Sequence, residues 1–85
     1  MYEWDEAKRQ GNLRKHGADF SEVEGFGWEY SISSEERVTG YCEQRMISIG
    51  LRLFVLVWTA RGDVVRVISL RPANGLERKR YEKEF

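Results

Sequence analysis

Residues 53–59, "LFVLVWT", constrain the fold of this chain more than any other stretch. A β-strand turns successive side chains to opposite faces, so a strand with one wet face alternates apolar and polar residues. This run does not alternate: Phe54, Val55, Leu56, Val57 and Trp58 are consecutive. The segment therefore reads as a central strand with material packed on both sides. The chain has 85 residues, enough for one small domain with a modest core, so whatever covers that strand makes up most of the molecule.

The neighbouring segments supply the rest of the sheet. "RMISIGL" (45–51) alternates Met46 and Ser48 against Ile47 and Ile49. "ARGD" (60–63) is a hairpin turn with Gly62 free to take positive φ, and "VVRVISLR" (64–71) is the strand that follows. "WEYSIS" (28–33) alternates as a half-buried strand, and "SSEERVTGY" (33–41) reads as a turn or irregular strand. Strict parity along 64–71 puts Val65, Val67, Ser69 and Arg71 on one face and Val64, Arg66, Ile68 and Leu70 on the other. Arg66 then sits among apolar neighbours and needs an acceptor or a route to water.

Three helices are expected around these strands. The first runs from Asp5, as N-cap, to about His16, and Gly17 ends it. Ala7 and Leu13 give it a thin apolar stripe. The second starts at a capping box formed by Ser21 and Glu24, with Phe20, Val23 and Phe26 on its apolar face. Pro72 stops the last strand, and Asn74 with Glu77 caps a closing helix. Its Arg78/Glu82 and Arg80/Glu84 spacings suit i,i+4 ion pairs, whereas Arg71, Lys79 and Lys83 have no such partner. The predicted class is α+β: two N-terminal helices, a three- to four-stranded antiparallel sheet in meander order, and a C-terminal helix.

Net charge is zero but segregated. Residues 21–50 carry six Glu against two Arg, and residues 51–85 carry eight Lys/Arg against four Asp/Glu. A neutral protein with one basic end can offer a face to a polyanion, and it can equally be an ordinary solvated surface. One Cys excludes an internal disulfide and fits a reducing cytoplasm. The opening "MYEWDEAKRQ" lacks the apolar region of a secretion signal, and no apolar run is long enough to span a membrane.

The inventory of chemistry is short. One His and one Cys do not make a zinc site, no Gly-rich phosphate loop is present, and no nucleophile–base arrangement is suggested. Arg, Lys, Glu and Tyr remain, gathered where the last strand meets the last helix. Arg binds phosphate oxygens bidentately and stays charged. Metal-free RNA cleavage needs a base for the 2′-OH, cations for the phosphorane and an acid for the leaving 5′-oxygen. Glu77, His16 or a Lys can serve as base. Arg66, Arg71, Arg78 and Arg80 can hold charge. Tyr81 or Lys8 can donate a proton, and Tyr81 can instead stack on a base.

"WDEAKRQGNLRKHGADF" (4–20), "RGDVVRVISLRPAN" (61–74) and "ERKRYE" (77–82) together resemble the BrnT toxins, small RelE-like ribonucleases of type II toxin–antitoxin systems. The matching positions are Lys8, Asn12, Lys15, His16 and Gly17; Arg66, Ser69 and Arg71; and Asn74, Glu77, Arg78, Arg80 and Tyr81. The resemblance implies a compact RelE-like sheet flanked by helices and endoribonuclease activity that blocks translation. It also implies a BrnA-like antitoxin partner, through which alone operator DNA is contacted. No cofactor or metal is expected. The expected catalytic set is Arg66, Arg71, Arg80, Glu77, Lys8 and His16. Lys15, Arg78, Lys79, Tyr81 and Lys83 are expected to contact RNA. The alternatives are a nucleic-acid-binding module without catalysis and an inactive interaction partner that assembles through its acidic stretch.

Overall fold

The computed structural model describes residues 1–36 and 44–85; Cys42 and the end of the "SSEERVTGY" run lie outside the described residues. The elements in order are β1 (Tyr2–Glu3), α1 (Glu6–His16), a 3₁₀ turn (Phe20–Gly25), a second 3₁₀ turn (Trp28–Tyr30), β2 (Ile32–Glu36), β3 (Arg45–Ile49), β4 (Phe54–Arg61), β5 (Val64–Pro72) and α2 (Gly75–Glu84). The strands form one sheet in the order β1-β5-β4-β3-β2. β4, which contains most of the all-apolar run, is its middle strand, as expected.

The two faces of β4 bury into two separate clusters. Leu56, fully buried, packs with Phe20, Val23, Phe26, Val67 and Leu70, and Trp4, Trp28, Phe54 and Trp58 close around them. Val55 points the other way, to Ile49 and Tyr81. The first side is the aromatic face and the second the arginine face. At roughly 1.5–3 kcal/mol per fully buried large apolar side chain, the aromatic cluster is the main source of stability.

The sheet differs from the expectation in two respects. Among the described residues it has five strands rather than three or four, and it is mixed rather than antiparallel. β1 pairs parallel to β5, Tyr2 with Val65 and Glu3 with Arg66. Two residues carry no period, which is why β1 is invisible in the sequence. In addition, "WEYSIS" does not form the strand expected over 28–33. Ser31 donates both its N–H and its hydroxyl to the Trp28 carbonyl, closing a 3₁₀ turn. That turn drops the Trp28 ring onto Phe26 and Trp58, with centroids 4.8 and 5.4 Å away. Its indole N–H donates to the Tyr2 hydroxyl at 2.6 Å. The strand begins only at Ile32.

The helices among the described residues are also fewer than expected. α1 has its predicted ends: Asp5 Oδ1 accepts from the Lys8 N–H, and Gly17 adopts φ 71°. The second helix is a 3₁₀ turn capped by Asp19 and Glu22, two residues earlier than Ser21 and Glu24. Arg9 explains the shift. Its guanidinium bridges Glu6 and Asp19, fixing Asp19 as the cap. Gly50 is required at the end of β3, since a Cβ there would lie 2.2 Å from the Phe26 carbonyl oxygen.

Candidate active site

β5 brings the arginines onto one face through an irregularity. Its register against β4 runs Val57↔Ser69 and then Trp58↔Val67, leaving Ile68 as an extra residue in a β-bulge. Arg66 lies opposite Thr59, Ser69 opposite Val57 and Arg71 opposite Val55. Directly opposed residues share a face. Arg66 and Arg71, on opposite faces by strict parity, thus both belong to the arginine face. Val67 and Leu70 both enter the aromatic core.

Arg71 stands where β5 gives way to α2. It donates Nη1 to Glu77 Oε1 at 2.7 Å and Nη2 to Oε2 at 2.8 Å, with a weaker Nη1 bond to the Pro72 carbonyl at 3.3 Å. Glu77 is held a second time by the predicted capping box. The Asn74 N–H donates to its Oε1, and Asn74 Oδ1 accepts from the Glu77 N–H, both at 2.9 Å. The ion pair, aided by the Asn74 N–H, holds the Glu77 carboxyl below its ordinary range against a modest opposing effect of burial. The same pairing pushes Arg71 further up.

One turn along α2, Arg80 joins Glu77 at the rim of a cleft of about 150 Å³. Its floor is Ile32, Ile47 and Ile49, with Ser34 at the side. Tyr81 anchors the helix from below. It is 7% exposed, and its hydroxyl donates to the Tyr30 carbonyl at 2.6 Å. The Phe85 ring lies tilted against the Tyr81 ring, centroids 4.9 Å apart. Tyr81 thus supports the site rather than standing open beside it.

The other candidates lie around this cluster. Arg66 faces the same side at the far end of β5, 3.6 Å from Glu3. Lys8 and Lys15 are exposed on α1 and His16 is partly buried. Helical spacing puts all three near Asn12, which faces β5. Asn12 Oδ1 accepts from the Leu70 N–H at 3.2 Å, and its Nδ2 donates to the Leu70 and Ala18 carbonyls at 2.6 and 3.0 Å. Arg78, Lys79 and Lys83 are exposed on α2. Among the described residues, the expected Arg78/Glu82 and Arg80/Glu84 ion pairs are not formed. The structure therefore joins Arg71 to Glu77, sets Glu77 and Arg80 on one cleft, and puts Arg66 on the same face but apart. It ranges Lys8, Lys15 and His16 along the neighbouring helix. The bulge and the Glu3 partner had no sequence signal, while Asn12 was marked only by family pattern.

Among the described residues no group of three or more His, Cys, Asp or Glu could hold a metal ion. None of the helices among the described residues is long and apolar enough to cross a membrane.

Arg71 fixed on Glu77, and Glu77 with Arg80 at the rim of an apolar-floored cleft, suit a phosphate with an attached base. Comparison with known proteins gives the family. A family profile described as ribonuclease toxin, BrnT, of type II toxin-antitoxin system matches residues 4–77. The chain belongs to the BrnT family. Among solved structures it is similar to the crystal structure of the Brucella abortus ribonuclease toxin BrnT, at 30% identity and a TM-score of 0.64. That similarity covers 87% of this chain and 97% of the Brucella chain. No curated protein sequence matches the chain. BrnT toxins belong to type II systems, so an antitoxin partner and an RNA target come with the family.

Proposed function

We propose that this BrnT-family toxin is an endoribonuclease that cleaves RNA without a metal, thereby halts translation, and is neutralised by a BrnA-like antitoxin that alone contacts operator DNA. The observation that supports this reading best is the Arg71–Glu77–Arg80 cluster at the end of the arginine face, in a chain of this family. In the proposed reaction a base takes the proton of a 2′-OH, and the freed oxygen attacks the adjacent phosphorus. The 5′-oxygen leaves with a proton from an acid, giving a 2′,3′-cyclic phosphate and a 5′-hydroxyl. Arg71 and Arg80 hold the phosphorane's charge. Lys8 and His16, on the helix beside β5, are the proton-transfer candidates. Arg66, with Lys15, Arg78, Lys79 and Lys83, contacts flanking phosphates, and Tyr81 holds α2 beneath them.

The test is the double variant Arg71→Ala/Arg80→Ala, checked for folding by circular dichroism and assayed on RNA in EDTA. Cleavage is expected to fall by at least about a hundredfold, the scale set by losing preorganised charge at a transition state. Undiminished cleavage by the folded variant refutes the assignment. A binding module without catalysis would use the same cations, but it would leave no 2′,3′-cyclic phosphate ends.

A further inference from the structure

The five N–H donors of Arg71 point in three directions, and two of those directions are filled. A guanidinium has an end pair, one N–H from each Nη, and a side pair made of Nε–H and the second Nη2–H. Glu77 takes the end pair. The Pro72 carbonyl takes the remaining Nη1 hydrogen. The side pair, Nε–H with Nη2–H, has no acceptor among the described residues, and the side chain is 34% exposed.

Arg9 provides the contrast within the same molecule. Its Nε and Nη2 both donate to Glu6, at 2.8 and 2.5 Å, and its Nη1 donates to Asp19 at 2.9 Å. Its Nε–H/Nη2–H edge is spent on the fold, and its Nη1 as well. Arg71 is held as firmly, but from behind.

We infer that Glu77 is a positioning residue, which with the Pro72 carbonyl clamps Arg71 so that its Nε–H/Nη2–H edge is a fixed bidentate fork for one phosphate of single-stranded RNA. This rests on the ribonuclease reading above and refines it, because it removes Glu77 from proton transfer. A carboxylate that receives two guanidinium bonds and the Asn74 N–H has little basicity left to offer. The capping box thereby joins the helix start to the phosphate site. The residue that terminates the strand, the cap and the fork lie within one connected set of hydrogen bonds. A fork fixed before substrate arrives loses less rotamer freedom on binding than a free arginine.

The test follows the Arg71 Nε–H resonance by NMR while a single-stranded oligonucleotide lacking 2′-hydroxyls is added, so that it binds but cannot be cleaved. The resonance is expected to shift on binding. If the oligonucleotide binds and the resonance does not move, the fork is refuted, whatever the activity. If it moves in a protein that cleaves no RNA, the ribonuclease reading fails and the fork stands.

A second arm uses Glu77→Gln. Glutamine keeps Oε1 for the Asn74 N–H and for Arg71 Nη1 but turns an NH₂ toward Arg71 Nη2, so the cap survives while the clamp loses its charge and one of its two bonds. Cleavage is expected to fall about ten- to a hundredfold, mainly in kcat, with the acid limb of the pH profile unchanged. In an Arg71→Lys background the same change should have less than about a twofold effect, since Glu77 acts only through Arg71. Loss of the acid limb, or an equal effect in both backgrounds, overturns the inference.

Discussion

Asn12 substitutes for a missing strand. β1 is only two residues long, so the edge of β5 beyond Arg66 has no strand beside it, and at Leu70 the Asn12 amide supplies both a donor and an acceptor. Replacing it with Ala strands the Leu70 N–H and two carbonyls in a buried position. The expected cost is about 2–3 kcal/mol of stability in urea denaturation, the scale of unmet buried hydrogen bonds. A loss below about 1 kcal/mol would mean that water satisfies these groups. α1 showed this role in a negative way: its expected apolar stripe is weak, and Leu13 is 41% exposed while Asn12 is buried. Glu77 has a consequence for pH. Its folded pKa lies below the ordinary 4.5, so its contribution to stability is complete above that value and is lost as pH falls below it. Thermal melts from neutral to acid pH should drop less steeply for Glu77→Gln than for the natural protein. Parallel curves would show that the ion pair adds no net stability.

Among the elements, the ends of α1 and α2 were legible because capping is local. Asp5, Gly17, Asn74 and Glu77 each act within a few residues. The 3₁₀ turn at Phe20–Gly25 was misread because its cap is set by Arg9, ten residues before Asp19. The β5 bulge was unreadable for a similar reason. An extra residue appears only when β5 is laid against β4, and a strictly alternating reading assigns Arg66 and Leu70 to one face. α2 carries few apolar residues, with Leu76 80% and Phe85 64% exposed, so Tyr81 is its main anchor. Tyr81→Phe keeps the ring and removes only the bond to the Tyr30 carbonyl. It should cost about 1 kcal/mol by chemical denaturation and speed amide exchange in α2 more than in β4. Uniform exchange in both elements would contradict this account of the helix.

At the scale of the molecule, Arg66, Arg71 and Arg80 lie on one face with two centres, Arg66 near Glu3 and Arg71 and Arg80 near Glu77. RNA binding should therefore weaken with salt. Arg66→Ala should lower affinity and reduce the slope of log K against log salt by about 0.7, the loss of one single-strand phosphate contact. The turnover rate should stay nearly unchanged. An unchanged slope would remove Arg66 from the RNA track. The sequence by itself determined the central strand, the two capped helices, the family and the arginine-rich junction of β5 and α2. Each of these depends on neighbours in the chain or on a run of side chains that must avoid water. The tertiary structure alone decided that β1 joins the sheet, that Asn12 closes its edge and that Arg66 and Arg71 share a face. Those features depend on register between segments far apart in sequence, where one unpaired residue reverses the direction of every side chain beyond it.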